Sequence, residues 1–411
     1  MRFKLLLILI LFTFSQRGNA QLEFSGEFRP RTEFRGGYKT PIFRLSDMAV
    51  VTDQRTRLIA NYRKSNVEFK ITAQDVRVWG NTPTVGGNGG FLGIAESWLR
   101  IDLNPKIDVR VGRQAISLDN ERIFGALNWA QAGRFHDAVR VNIRSDEKSS
   151  WNTQLSVIGS VNQSSSVLSK TRFSTKGSYK GLAAAHYSWK NETKGIQGSM
   201  LSSLVMYPTY WHNLWPAGDT HSLAYGVGTH GFTSRFKRRS MAVEMEGYVQ
   251  HQTNISDIDF LTAITLSKAF GKTKITLGTD YLSSGFKPLF GTNHKFYGFM
   301  DYYYVGNSHQ NKGLFNPYFR VDLTTKVGDF SLFGHHFRSA VNIPSGNDWQ
   351  SMGEEMDLLW SKQFSNSIHL LGGWSVMRTT SFLNEIKNKL GSPRIQTWGF
   401  LQLTYKMREE K

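Results

Sequence analysis

No cysteine occurs anywhere in these 411 residues, which excludes disulfide staples and thiolate metal sites. The sequence also lacks a second long apolar run. The one it has, Leu5 to Phe14, is about half of the ~20 residues a spanning helix needs, and no later segment is longer and as apolar. No G-x-S-x-G elbow or comparable nucleophile motif is present, so no enzymatic role and no cofactor are expected. Acidic residues are in short supply: 32 Asp and Glu face 50 Lys and Arg, for a net charge of +18. The basic residues are scattered rather than clustered. A nucleic-acid partner is therefore not expected, and an anionic solute or anionic lipid surface is the better partner class.

The N-terminus explains the compartment. Arg2 and Lys4 precede the apolar run, and Gly18-Asn19-Ala20 supplies small residues before Gln21. This is the layout of a secretory signal peptide, residues 1–20, cut before Gln21. The absence of Cys after the cut excludes a lipid-anchored lipoprotein.

What the remaining chain has in abundance is alternation. Thr56, Leu58, Ala60 and Tyr62 share one face, with Arg55, Arg57, Asn61 and Arg63 opposite. Val67, Phe69, Ile71 and Ala73 oppose Glu68, Lys70, Thr72 and Gln74. Leu99 and Ile101 oppose Arg100 and Asp102; Val109 and Val111 oppose Asp108 and Arg110. Val139, Val141 and Ile143 oppose Arg140, Asn142 and Arg144. A period of 2 is what a strand between two different environments requires. Mean hydropathy is only −0.36, which still suits a membrane barrel because only every second residue meets lipid.

Short links recur at Lys64-Ser65-Asn66, Asn104-Pro105, 145–150, 190–194, 237–240, Gly271-Lys272, Gly328-Asp329 and Ser365-Asn366. Longer links fall between them, at roughly 30–52, 80–92, 114–136, 163–178, 207–219, 252–257, 284–311, 341–352 and 380–395. Short turns alternating with long loops predict an all-β, transmembrane antiparallel β-barrel of about 18 strands, with 16 as the alternative count. One barrel domain then fills 21–411 in the bacterial outer membrane, with both termini on the periplasmic side. The last strand, Thr397 to Met407, sets Gly399, Leu401, Leu403, Tyr405 and Met407 on one face, similar to a barrel assembly signal.

Two stretches carry a resemblance. Residues 112–141 read GRQAISLDNERIFGALNWAQAGRFHDAVRV, and from Phe290 the chain reads FGTNHKFYGFMDYYYV. Together with QDVRVWG from Gln74 to Gly80, they resemble the alginate-export family of outer-membrane porins across essentially all of 21–407. The resemblance implies an 18-stranded barrel with an arginine-rich, electropositive lumen that conducts a polyuronate passively. It also implies a monomer, with outer-membrane lipid, an anionic saccharide and periplasmic export or assembly factors as partners.

Parity makes Arg55, Arg57, Arg63, Lys70, Arg100, Arg110, Arg140 and Arg144 candidates for the lumen lining, with Glu68, Asp102 and Asp108 as balancing acids. Arg binds carboxylate through a planar fork and stays charged. In the long link after the fifth strand, Arg113, Arg122 and Arg134 are the expected constriction residues, with Asp119 and Asp137 as partners. The alternative is that they pin that loop to the wall. Asp75 and Arg77 break the parity of their strand; a β-bulge would turn them inward, whereas a position above the membrane would make facing irrelevant. His294 and Asp301 belong to a long outer link, as gate or as scaffold. His335-His336 and His136-Asp137 are adjacent residues, which point to opposite faces of a strand and so do not converge on a metal.

The expected function is an anion-selective channel for an acidic polysaccharide or oligosaccharide. The alternatives are an uptake porin for small anions or oligosaccharides, and a surface-binding or structural barrel.

Overall fold

The computed structural model describes residues 20–84, 92–146, 149–162, 179–208, 223–253, 255–305, 312–340 and 350–407. The leader lies outside the described residues, apart from Ala20, as do the link 163–178 and the C-terminal residues 408–411. Eighteen strands follow one another. They are β1 (Ala20–Gly36), β2 (Ala49–Lys64), β3 (Val67–Val78), β4 (Leu92–Asn104), β5 (Ile107–Gln114) and β6 (His136–Arg144). Next come β7 (Asn152–Val161), β8 (Gly181–Asn191), β9 (Ile196–Pro208), β10 (Leu223–Arg238), β11 (Met241–Gln252) and β12 (Ile258–Phe270). The rest are β13 (Thr273–Leu282), β14 (Leu314–Thr325), β15 (Gly328–Arg338), β16 (Ser351–Gln363), β17 (Ile368–Thr379) and β18 (Ile395–Met407).

Each strand pairs antiparallel with the next, and β1 pairs with both β2 and β18. The sheet therefore has no free edge, which in a bilayer is the only way a sheet can satisfy its backbone hydrogen bonds. The alternation resolves into two environments. Leu58, Leu99 and Val139 are 62%, 38% and 45% exposed on the outer wall, where lipid would cover them. Their charged neighbours turn inward, because an Arg on the lipid face would cost about 2–4 kcal/mol at mid-bilayer.

Three expectations change. The first two strands extend further than the predicted 30–52 link allows, so the connection shrinks to 37–48. The turn expected at Gly328-Asp329 falls at Lys326-Val327, leaving both residues inside β15. The 380–394 connection carries a short helix, α1 (Ser381–Ile386), begun by Thr380, whose hydroxyl accepts from the Leu383 N–H. Side-chain capping of this kind satisfies an otherwise orphaned helix donor.

The buried apolar cluster lies inside the barrel, not between sheets. Inward residues Ile158, Leu182, Leu201, Tyr248, Leu261 and Leu282 pack with Ile116, Ile123, Phe124, Phe286, Tyr297 and Met300 from the long connections. The loops are drawn in because this half of the wall is apolar on its inner face.

Candidate functional site

Two connections enter the lumen. Residues 115–135, between β5 and β6, cross it from wall to wall. On one side Asp119 meets His186 of β8 at 2.9 Å, and Asn120 donates to Glu246 of β11 at 3.0 Å. Arg122, 3% exposed, donates to Glu246 at 3.2 Å and to Asp280 of β13 at 2.6 Å. Its guanidinium also lies 4.0 Å from the Phe296 ring centroid and donates to the Tyr297 hydroxyl at 3.2 Å. Burial alone would lower its pKa; Asp280 and Glu246 outweigh burial and raise it. On the other side Arg29 of β1 donates to the Asn128 carbonyl at 2.8 Å and to Gln131 at 3.0 Å. Gln74 of β3 donates to the Ala132 carbonyl at 3.0 Å.

Residues 283–305 lie against this loop. Phe124 and Phe290 form a parallel bridge, and Gly125 and Thr292 donate backbone bonds across it to Phe290 and Glu121. His294 stacks on Trp129 with 4.3 Å between centroids and bonds Asp301 at 2.7 Å. Met300 N–H donates to Glu355 of β16, and Tyr302 donates to the Gly37 carbonyl.

The inward loops leave a cavity of about 730 Å³ against β1 and β2, where Arg31, Arg35, Lys39 and Arg134 meet Glu33, Asp53 and Asp301. Arg31 lies 4.3 Å over the Trp129 ring, a cation–π contact that fixes both groups.

Below the loops the β2–β6 wall is basic. Arg63, Glu68, Arg100, Arg110 and Arg140 are successive cross-strand partners, so they form one row, which climbs the wall because barrel strands tilt. Like charges directly opposed are unfavourable, and acids relieve part of the row. Glu68 pairs with Arg63 at 2.8 Å and Arg100 at 3.6 Å, and Asp102 pairs with Arg100 at 2.6 Å. Asp108 is 3.7 Å from Arg100 and is also bound by Arg144. Lys70 pairs with Glu96 at 2.6 Å. Three guanidiniums of this β2–β6 wall have no carboxylate within 4.0 Å among the described residues. Arg57 donates to Gln74, Arg110 lies 4.1 Å over Trp98, and Arg140 donates to Asn142 and Ser156. Toward the short-turn end of β7–β9, and at Thr233 of β10, the inner wall turns neutral and polar, with Ser156, Ser188, Gln197, Ser199 and Thr233 inward, between outward Val157, Tyr187, Met200 and Phe232.

Several candidate residues sit elsewhere than expected. Arg122 holds the loop to the wall, the pinning alternative, whereas Asp119 both binds His186 and borders a cavity with Ser188, Gln197 and Thr233. Arg55 is fully buried, bound to Glu27 at 2.7 Å and to Asn128 at 3.1 Å, beneath the loop and out of reach of solute. Asp75 and Arg77 face outward. The β2–β3 register runs unbroken through them, the bulge lies at Thr72/Ala73 against β4, and the two pair with each other at 2.7 Å. Arg113 and Asp137, 3.2 Å apart and exposed, mark the base of the 115–135 loop. Arg134 donates to the carbonyls of Gly125 and Gly291 as well as lining the cavity. His335 is buried against Asn316, while His336 faces outward to Glu354.

Sequence reasoning missed Arg29, Arg31 and Arg35. Their alternation with Phe28, Pro30, Thr32 and Phe34 is plain in the sequence, but assignment of 30–52 to a loop hid it.

No family model matches this chain, and no curated protein matches it. Solved structures do. Pseudomonas aeruginosa OccK11 (OpdR) superposes with a TM-score of 0.55 at 12% identity, over 94% of this chain and 96% of that one. OccK2 (OpdF) of the same organism, in complex with glucuronate, gives 0.58 at 11% over 95% and 97%. OpdK with vanillate gives 0.60 at 9% over 94% and 98%. The chain folds as an outer-membrane porin. The likeness carries the 18-stranded barrel fold and does not single out the alginate-export family.

Within this porin Lys387, just after α1, donates to the Tyr302 carbonyl at 2.7 Å, and burial pulls its pKa down to about 8. Undocked, the amine would hold its proton up to its ordinary value near 10.4. Between these values the undocked state binds more protons, so docking strengthens as pH rises through about 8 to 10 and is constant below. Hydrogen exchange of residues 381–392, corrected for intrinsic rate, should slow between pH 7.5 and 9.5, and Lys387→Met should remove that dependence.

Proposed function

We propose that this porin is a passive, anion-selective channel for small hydroxylated carboxylates such as monosaccharide uronates. The observation that carries the reading is the trio Arg57, Arg110 and Arg140, inward and without carboxylate partners. It stands beside an inner wall of serine, threonine and glutamine. A carboxylate would exchange water for the guanidinium forks, while hydroxyls would trade hydrogen bonds along the neutral wall. A passive pore must attract without trapping. The acids Glu68, Asp102 and Asp108 serve that end by sharing Arg63, Arg100 and Arg144.

Two loops meeting across the lumen favour solutes of sugar size over a polymer. The alginate-like polysaccharide therefore yields to the small-anion reading, and glucuronate bound by OccK2 is consistent with it. One chain encloses the whole path, so a monomer suffices to conduct. The leader 1–20 is removed and residues 21–411 form the mature barrel.

The test is a planar bilayer with a KCl gradient. We expect a reversal potential of anion-selective sign, a KCl current reduced by millimolar glucuronate, and entry of glucuronate but not polyuronate into proteoliposomes. Cation selectivity would overturn the reading; block by polyuronate together with its passage would restore the polymer channel.

A further inference from the structure

A basic cluster lies on the outside of the barrel, away from the lumen. His336, Glu354 and Arg378 are cross-strand neighbours on the outward faces of β15, β16 and β17, with Glu354 3.3 Å from His336 and 3.8 Å from Arg378. Beside them a cavity of about 800 Å³ is lined by Arg378 and Arg394 and bordered by Arg338, with Glu354 as its one acid among the described residues. Arg378 and Arg394 against that one carboxylate leave a net positive charge. The Arg378 side chain is 63% exposed and only loosely paired, so its fork is available to a ligand.

Height on the wall identifies the occupant. Ile368 opens β17 just after a short turn, and Arg378 lies roughly ten residues further on. At about 3.3 Å per residue and the usual barrel tilt that is about 25 Å, the height of a barrel's apolar band. Met356, Leu358, Trp374 and Val376, all exposed on the outer wall, fill the space below the cluster. The guanidiniums therefore stand where the apolar band ends and lipid headgroups begin, at the long-loop end that faces outside. Arg binds phosphate bidentately. A lone carboxylate ligand would gain nothing from the apolar wall beneath. A lipid would use both parts.

We propose that this cavity binds the phosphate of one outer-leaflet lipid, whose acyl chains lie along Leu358, Trp374 and Val376. Phosphate oxygens engage Arg378 and Arg394, and Arg338 borders the same space. Binding there ties lipid to three adjacent strands and is independent of which solute crosses the lumen.

The experiment is native mass spectrometry of the purified full-length barrel in detergent, with diphosphoryl lipid A and with the same lipid after dephosphorylation. The wild type should retain one lipid A, and retention should fall about tenfold on dephosphorylation, equivalent to about 1.4 kcal/mol. The Arg378→Gln/Arg394→Gln variant should lose the same factor while keeping the heat-modifiable gel mobility of a folded barrel. If that variant does not fold, Glu354→Gln decides: it removes the competing carboxylate and should tighten lipid A binding. Equal retention of both lipids, unchanged retention by the double variant, or no gain in Glu354→Gln would each overturn the proposal. Displacement of lipid A by 10 mM inorganic phosphate would identify a free-anion site instead.

Discussion

Arg122→Ala barrels are expected to conduct several times more KCl current per channel than the wild type. The side chain is the centre of the tie that holds residues 115–135 across the lumen, through Asp280 at 2.6 Å and Glu246 at 3.2 Å. Removing one partner of a buried pair costs about 3–5 kcal/mol, because the other charges stay behind without compensation. Here two carboxylates would be left. They would draw in water, and the loop would leave the wall. The closed sheet does not depend on this tie, since all its strand pairings are backbone bonds. The variant should therefore keep its heat-modifiable mobility. Hydrogen exchange at 118–126 should rise while the strands stay protected. Wild-type conductance together with wild-type exchange at 118–126 would show that the loop is held by its apolar contacts alone.

Replacing Arg57, Arg110 and Arg140 together by Gln should lower the anion-to-cation permeability ratio by about tenfold to a hundredfold. A unit charge ~10 Å from a passing ion is worth about 0.4 kcal/mol in water and more in a narrower, lower-dielectric lumen. Three such charges act on anions and cations with opposite sign, which doubles the effect on the ratio. The paired residues Arg63, Lys70 and Arg144 serve as the comparison. Each stands close to a carboxylate, so replacing all three together with those partners, Glu68, Glu96 and Asp108, by neutral amides leaves the net charge unchanged and should shift the reversal potential much less. The reversal potential in a KCl gradient reads both sets directly. Equal shifts from the two sets would mean that the charge of the unpaired trio does not set selectivity.

How far the sequence reaches depends on the range of the interaction. Strand parity is a local property, so the facing of Arg57, Arg100, Arg110, Arg140 and Arg144 was legible from neighbours two residues away. The strand number was legible too, because each turn is encoded by its own few residues. The same logic failed at Asp75 and Arg77. There the apolar neighbours end and the strand continues past the bilayer, so parity holds with no lipid to enforce it. Pro30 and the dense charges around it hid the end of β1 in the same way.

The partners of Arg122, Asp119 and Arg55 were not legible, although loop-pinning was one of two readings for the first two. Their partners lie 158, 67 and 28 residues away, and no local pattern brings Asp280, His186 or Glu27 beside them. Alternation together with the rhythm of short and long links determined a transmembrane barrel of about 18 strands with a basic inner wall, because a bilayer punishes each misplaced charge at each strand separately. Only the tertiary structure decided which arginines remain free to meet a solute. That choice is made where two long connections fold against the apolar residues at the long-loop end of β7–β9 and β11–β13 and consume some guanidiniums as anchors while leaving others unpaired.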